Sequence, residues 1–376
     1  MKKVLFILIS LTVFAAQGQV FTPGAMDDQV LSFLDLKNQR GQSLLYNYSI
    51  RYDLDTLDWK PWSENIQERG GFTILNPVGG VFLNSAYARG YNDGAIWKGR
   101  GATVEAHGGI MGTLGKNIHY TFQPVIFFSQ NASFKLASDT LAPDANIFNY
   151  KFTRPNRTID FVQRYGSDPY ASINWGQSEI RYINNWFTTA VTTQNFSIGP
   201  SEINPILLSK NAPGIPNLHI GTARPIDIII KGKDLGSFET HLHYGVLKES
   251  DYMDNVSNNN YRYLNGISIG YAPSFLEGFS FGLSKILYKN TRFFEAQDLY
   301  SMLAIADDGV VEIDGDTLDF ANDTFDQLAS FFAQYHDIEN GLKVYFEFAK
   351  NDFNGKEPFF TEPQHARAYT IGFQKL

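Results

Sequence analysis

The chain has 376 residues, of which 43% are hydrophobic, 15% aromatic and only 19% charged, with 31 Phe, 20 Tyr and 5 Trp and a net charge of −8. That hydrophobic content fills a core and excludes disorder, while a mean hydropathy of −0.22 and the lack of any later apolar run of about 18 residues exclude a bundle of membrane helices. The acidic balance argues against nucleic acid as a partner, and a cysteine count of zero excludes disulfides, thiolate metal sites and cysteine nucleophiles.

Residues 1–18 read as an export signal. Lys2 and Lys3 precede an apolar run from Val4 to Ala16, and Ala16-Gln17-Gly18 offers small residues for cleavage. Its removal leaves 358 residues and takes the charge to −10. The mature chain is therefore expected in the bacterial envelope or beyond, and with no cysteine after the apolar run no lipid attachment is expected. Next comes one helical tract, 27–37, where Val30, Phe33 and Leu34 recur at helical spacing. It suits a short periplasmic segment within a plug-like portion, 19–80, ahead of strands over 81–376.

From there the dominant period is two. In 101–111, Ala102, Val104, Ala106 and Ile110 alternate with Thr103, Glu105 and His107, which is how a strand separates two faces. In 118–128, Ile118, Tyr120, Phe122, Ile126 and Phe128 share one face, opposite Asn117, His119, Thr121 and Gln123. Further strands are predicted at 170–183, 186–197, 218–231, 238–246, 261–271, 279–283, 341–350 and 366–375. Residues 323–335 read equally as a short helix or as a strand. Polar connections at 134–169, 248–260 and 295–324 have the size of the extracellular loops of a barrel.

A soluble sandwich also alternates polar and apolar faces. Strands of roughly ten residues with Glu, His, Gln and Asn on one face and Phe, Tyr, Ile and Val on the other fit a transmembrane antiparallel β-barrel better, with the aromatic excess supplying interfacial girdles. The predicted fold is therefore all-β, a single outer-membrane barrel domain.

Two motifs go beyond pattern. Tyr91-Asn92-Asp93-Gly94-Ala95-Ile96-Trp97-Lys98-Gly99-Arg100-Gly101 joins a turn signal to glycines around one Trp and one Arg, an arrangement that folds tightly with Trp97 and Arg100 turned into a cavity. The second runs from Leu207 to Pro225, where Pro213-Gly214-Ile215-Pro216 forces an irregular connection before Leu218 and Ile220 enter a strand.

At these residues the chain resembles the capsule-assembly Wzi family of outer-membrane proteins in its Bacteroidota form. The likeness extends to Gln123–Asn131, Tyr170–Trp186, Lys343–Asp352 and Pro363–Leu376. It implies a barrel of about sixteen to eighteen strands with a periplasmic helical portion, and a lectin that holds exported capsular or exopolysaccharide at the cell surface. Outer-membrane lipid and the barrel-insertion machinery are the other implied partners, for a monomer or a subunit of an envelope complex. The family continues past the strand resembling Ala366–Leu376 and barrels commonly end on an aromatic residue, so a shortened member or a fragment is expected.

A lectin works by stacking sugars on rings and by hydrogen bonds from Arg, Asn, Asp and Glu to hydroxyls or uronates. Candidate polysaccharide-binding or lumenal residues are Asn92, Asp93, Trp97 and Arg100 in the first motif, Asn211 and Arg224 in the second, and Trp175, Gln177, Glu179 and Arg181 between them. Each has a plainer alternative as a girdle anchor or a lumenal ion pair, and Arg100 and Arg224 are the two expected to be functional, as ligand contacts or as ties that hold lumenal loops. Glu239, His241 and His243 share one strand face, a row that suits a metal or an outer-membrane hydrolase and equally describes a polar lumen. No catalytic constellation, metal or cofactor is assigned. A diffusion channel remains the alternative function. Three Asp-Thr-Leu triplets, at 55–57, 139–141 and 316–318, are either glycan acceptors or loop punctuation.

Overall fold

The computed structural model describes residues 46–48, 72–133, 168–249, 260–303, 312–313, 316–317, 325–351 and 366–375, apart from 87, 89, 91 and 202. The export signal, the helical tract at 27–37, the Asp-Thr-Leu triplets at 55–57 and 139–141 and most of the loop 134–169 lie outside the described residues. In chain order the strands are β1 (Tyr46–Tyr48), β2 (Phe72–Asn84), β3 (Gly101–Leu114), β4 (Ile118–Phe122), β5 (Val125–Ser129), β6 (Tyr170–Asn174), β7 (Glu179–Ile183), β8 (Phe187–Thr192) and β9 (Phe196–Ile198). There follow β10 (Asn217–Thr222), β11 (Ile226–Ile230), β12 (Lys233–Lys248), β13 (Tyr261–Ala272), β14 (Phe279–Asn290), β15 (Glu312–Ile313), β16 (Asp316–Thr317), β17 (Asp326–Asp337), β18 (Leu342–Asn351) and β19 (Arg367–Lys375). Residues 323–335, ambiguous in sequence, enter the strand β17.

Fifteen of these pieces form one antiparallel sheet. Three pairs, β4 with β5, β6 with β7 and β10 with β11, each continue one another along the same neighbour, so the sheet is an up-and-down series of twelve staves from β2 to β19. Its two outer strands are not paired to each other among the described residues.

The interruptions have a common chemistry. Pro77 sits where the β2–β3 register shifts between Leu75 and Val78, Pro124 separates β4 from β5, and Pro225 separates β10 from β11. Proline has no N–H for a ladder and is tolerated only at such breaks. Opposite Pro124, Trp175–Ser178 set four residues against the three from Phe122 to Pro124, a one-residue bulge. Gly176 makes it possible, with φ of 58° and so little room that a Cβ would lie 2.3 Å from the Gln123 carbonyl.

The sheet is polar inside and apolar outside. Outward residues Ile126, Phe128, Ile180, Val191, Leu283, Ile371 and Phe373 are exposed, while Thr103, Arg181, Thr192, His219, His241, Ser268, Ser284 and Glu347 on the other face are buried. Apolar exposure as high as 84% at Leu83 and 78% at Ile371 is costly in water and favourable in hydrocarbon. The ends differ as well. Short turns, 115–117, 184–186, 231–232, 273–278 and 338–341, lie at one end, and long connections, 85–100, 130–169, 193–216, 249–260, 291–325 and 352–366, at the other. Membrane barrels divide their turns and loops in this way.

Part of the lumen is filled by the chain itself. After Thr192 the chain leaves the wall, and β9 pairs with β1 instead of with the main sheet. Phe196, Ile198 and Leu207 of this inner segment pack on Leu264, Ile286, Phe332 and Ala349 of β13, β14, β17 and β18. This is an apolar core inside a polar wall. The sequence expectation of a single strand over 186–197 is thereby corrected, because Phe196 carries on the alternation while pairing elsewhere.

Candidate functional site

The two motifs meet. The Asn92 N–H donates to Asn211 Oδ1 (2.6 Å), Asn92 Nδ2 donates to the Ile203 carbonyl (3.2 Å) and the Gly94 N–H to the Lys210 carbonyl (2.7 Å). Asn92 takes a φ of 53°, a left-handed conformation that Asn tolerates. Lys98 pairs with the buried Asp93 and lies over the Phe82 ring. Trp97 Nε1 donates to Asn131 Oδ1 (3.3 Å), and the exposed Arg100 donates to the Ser133 carbonyl (2.7 Å). The first motif is thus a folded-back loop tied to the second and to the end of β5, and Trp97 and Arg100 act in the ties.

Below this junction lies a buried polar belt. Arg181 makes a two-pronged pair with Glu179, Nε to Oε1 and Nη2 to Oε2, each 3.0 Å, and its Nη1 donates to Thr188 Oγ1 (2.8 Å). The same Nη1 lies 2.9 Å from His219 Nδ1; His219 Nε2 lies 2.8 Å from His241 Nδ1, and His241 Nε2 lies 2.6 Å from Glu239 Oε1. Arginine only donates and an ionised carboxylate only accepts. The chain therefore has one direction, Arg181 to His219 to His241 to Glu239, each imidazole accepting on Nδ1 and donating from Nε2. His243 bonds outside this chain, its Nδ1 3.2 Å from Asn217 Oδ1, while its ring is stacked between Phe196 (4.5 Å) and His219 (4.9 Å). The two nitrogens of His241 are both engaged, so the row of Glu239, His241 and His243 serves as lumenal bonding.

A cavity of about 880 Å³ adjoins the junction, lined by Tyr170, Asn174, Trp175, Gln194, Asn195, Phe196 and residues 207–209 and 212–216, together with the end of β12 and Tyr261. Gln177 ties its floor, with Nε2 donating to Asn195 Oδ1 (2.8 Å) and Oε1 accepting the Asn195 N–H (2.9 Å). Trp175 is 66% exposed and meets Phe122 edge-on, on the outward side of the sheet.

Of the predicted residues, the structure joins Asn92, Asp93 and Asn211 at one junction and Glu179 with Arg181 in the belt. Trp175 and Gln177 lie at the bulge. Arg224 is exposed in the break between β10 and β11, away from the junction. Gln194, Asn195, Asn217 and His219 were missed. His219 was legible from its alternation with Leu218 and Ile220; Gln194 and Asn195 were not, since they fall where the chain leaves the wall.

No family model matches the chain, and no curated protein sequence does. Among solved structures it is similar to Wzi, an outer-membrane protein involved in group 1 capsule assembly in Escherichia coli and a carbohydrate-binding β-barrel, at 10% identity and a TM-score of 0.48. That alignment covers 90% of this chain, which spans 65% of the Wzi chain. The NanC porin (10% identity, TM-score 0.27, 80% of this chain and 98% of that one) and OmpT of Vibrio cholerae (10%, 0.22, 80% and 95%) are also similar.

One lumenal group is poorly matched to its surroundings. Glu347 of β18 is fully buried and its carboxylate makes no ion pair among the described residues. An unpaired buried charge costs stability that its neutral isostere does not. Glu347→Gln is expected to raise stability by about 1–3 kcal/mol, seen as a higher urea midpoint in detergent; a drop of that size would show that the charge is compensated.

Proposed function

We propose that this protein is an outer-membrane β-barrel that holds exported capsular or exopolysaccharide at the cell surface, as a binding protein and without enzymatic activity. The observation that carries it is the partly filled lumen: the segment 193–216 packs an apolar core against the inner wall, leaving the long-loop end as the place where a polymer meets the protein. The inside-out polarity of the sheet supports the membrane location. The residues on which the chain resembles the Wzi family, above all the two motifs now seen tied together, support the polysaccharide as ligand. Asn92, Asp93 and Asn211 hold the shape of that surface.

The test is titration of the purified full chain in detergent with the exopolysaccharide of its own source strain, beside deletion of the gene. Saturable binding and release of polymer from deleted cells are expected. Absence of binding together with unchanged polymer retention overturns the reading. A diffusion channel instead requires conductance, and the segment packed inside the lumen predicts none in a planar bilayer.

A further inference from the structure

The wall of the sheet has a notch. Pairing runs unbroken through the level of Glu179, Thr192, Asn217 and Gly245. Toward the long-loop end of that level β8 and β10 are absent, since the chain between them turns inward. β6 keeps only β5 as a neighbouring strand, and the end of β12, beyond the bond from the Val246 N–H to the Pro216 carbonyl (3.1 Å), keeps only β13. Two missing staves leave an opening of about 14 Å at normal strand spacing. The turn Pro213–Pro216 crosses it, held so close to the wall that a Cβ on Gly214 would lie 1.9 Å from the Thr193 carbonyl. The cavity of about 880 Å³ lies in this notch, within the size range of small-molecule sites.

Its lining is two-sided. Trp175 and Val246 are exposed on the outward face, continuous with the apolar belt. On the inner side Gln194 lines the cavity at 3% exposure, and its Nε2 has no hydrogen-bond partner among the described residues. A buried amide donor left unpaired is an exception that calls for an acceptor.

We propose that the notch is a lateral binding site for one lipid molecule of the outer leaflet, its acyl chain against Trp175, Ile215 and Val246 and an oxygen of its head group accepting from Gln194. This rests on the membrane reading above. A bare sugar would leave the apolar side unused, and a bare hydrocarbon would leave the Gln194 donor unpaired; an amphiphile satisfies both. The site gives the protein a hold on the lipid beside the surface on which it holds polymer.

The full chain, reconstituted in vesicles of phosphatidylethanolamine and phosphatidylglycerol with a fraction of the latter carrying a diazirine on its acyl chain, is irradiated and the crosslinks are mapped by mass spectrometry. Labelling of 174–175 and 211–216 is expected at several times that of Leu283 and Phe373 on the outward belt. Ala212→Trp, which fills the cavity from an exposed position, is expected to lower the notch labelling at least fivefold with the belt unchanged; Gln194→Leu is expected to lower it as well. Equal labelling of notch and belt, or notch labelling indifferent to both substitutions, overturns the lipid site while the membrane reading stands. Loss of labelling on the belt itself overturns the membrane reading, and the lipid site with it.

Discussion

Replacing Arg181 by Met is expected to cost about 3–5 kcal/mol of stability, the usual penalty for removing one partner of a buried ion pair. The loss exceeds that of one contact because Arg181 serves three acceptors. Glu179 is left as a buried carboxylate without its bidentate donor, Thr188 loses a bond, and His219 Nδ1 loses the donor that fixes its tautomer. Urea unfolding in detergent, followed by tryptophan fluorescence, measures it. The double variant Arg181→Met with Glu179→Gln is expected to recover a large part of the loss, since no charge is then stranded. A single-variant change below about 1 kcal/mol would mean that water reaches the pair.

A comparable effect is expected from Phe332→Ala, about 3–5 kcal/mol. Phe332 is fully buried on the inner face of β17, where it meets the inner segment. Its removal opens a void between plug and wall, and because Phe196, Ile198 and Leu207 belong to the same core, the segment 193–216 is expected to become more open to limited proteolysis. Loss of stability without faster cleavage in that segment would show that the plug is held by its loop junction rather than by the core.

How far the sequence reached can be followed residue by residue. Faces were legible wherever alternation was strict: Ile126 and Phe128 are outward, and Glu239, His241 and His243 inward, as period two requires. Strand continuity was less so. The predicted runs 170–183 and 218–231 are each broken, and the breaks were signalled only by Gly176 and Pro225, residues whose meaning depends on which strand lies opposite. Phe196 was misassigned to the wall for a physical reason: a residue packing on the inside of a barrel is as apolar as one facing lipid, so the pattern does not say which side it serves. The junction of the two motifs was beyond reach because Asn92 and Asn211 are distant in sequence and meet through a backbone donor, for which no side-chain type is diagnostic.

The one-way chain from Arg181 to Glu239 makes the protein its own spectroscopic reporter. Locked on the same tautomer, His219 and His241 should each show one protonated and one bare ring nitrogen in a 15N spectrum, with no averaging between forms. Anything that shifts the inner segment enough to move Arg181 would release His219 Nδ1 and collapse that asymmetry. The imidazoles would register the event at the belt without an attached label, whether it began at the loops or in the bilayer.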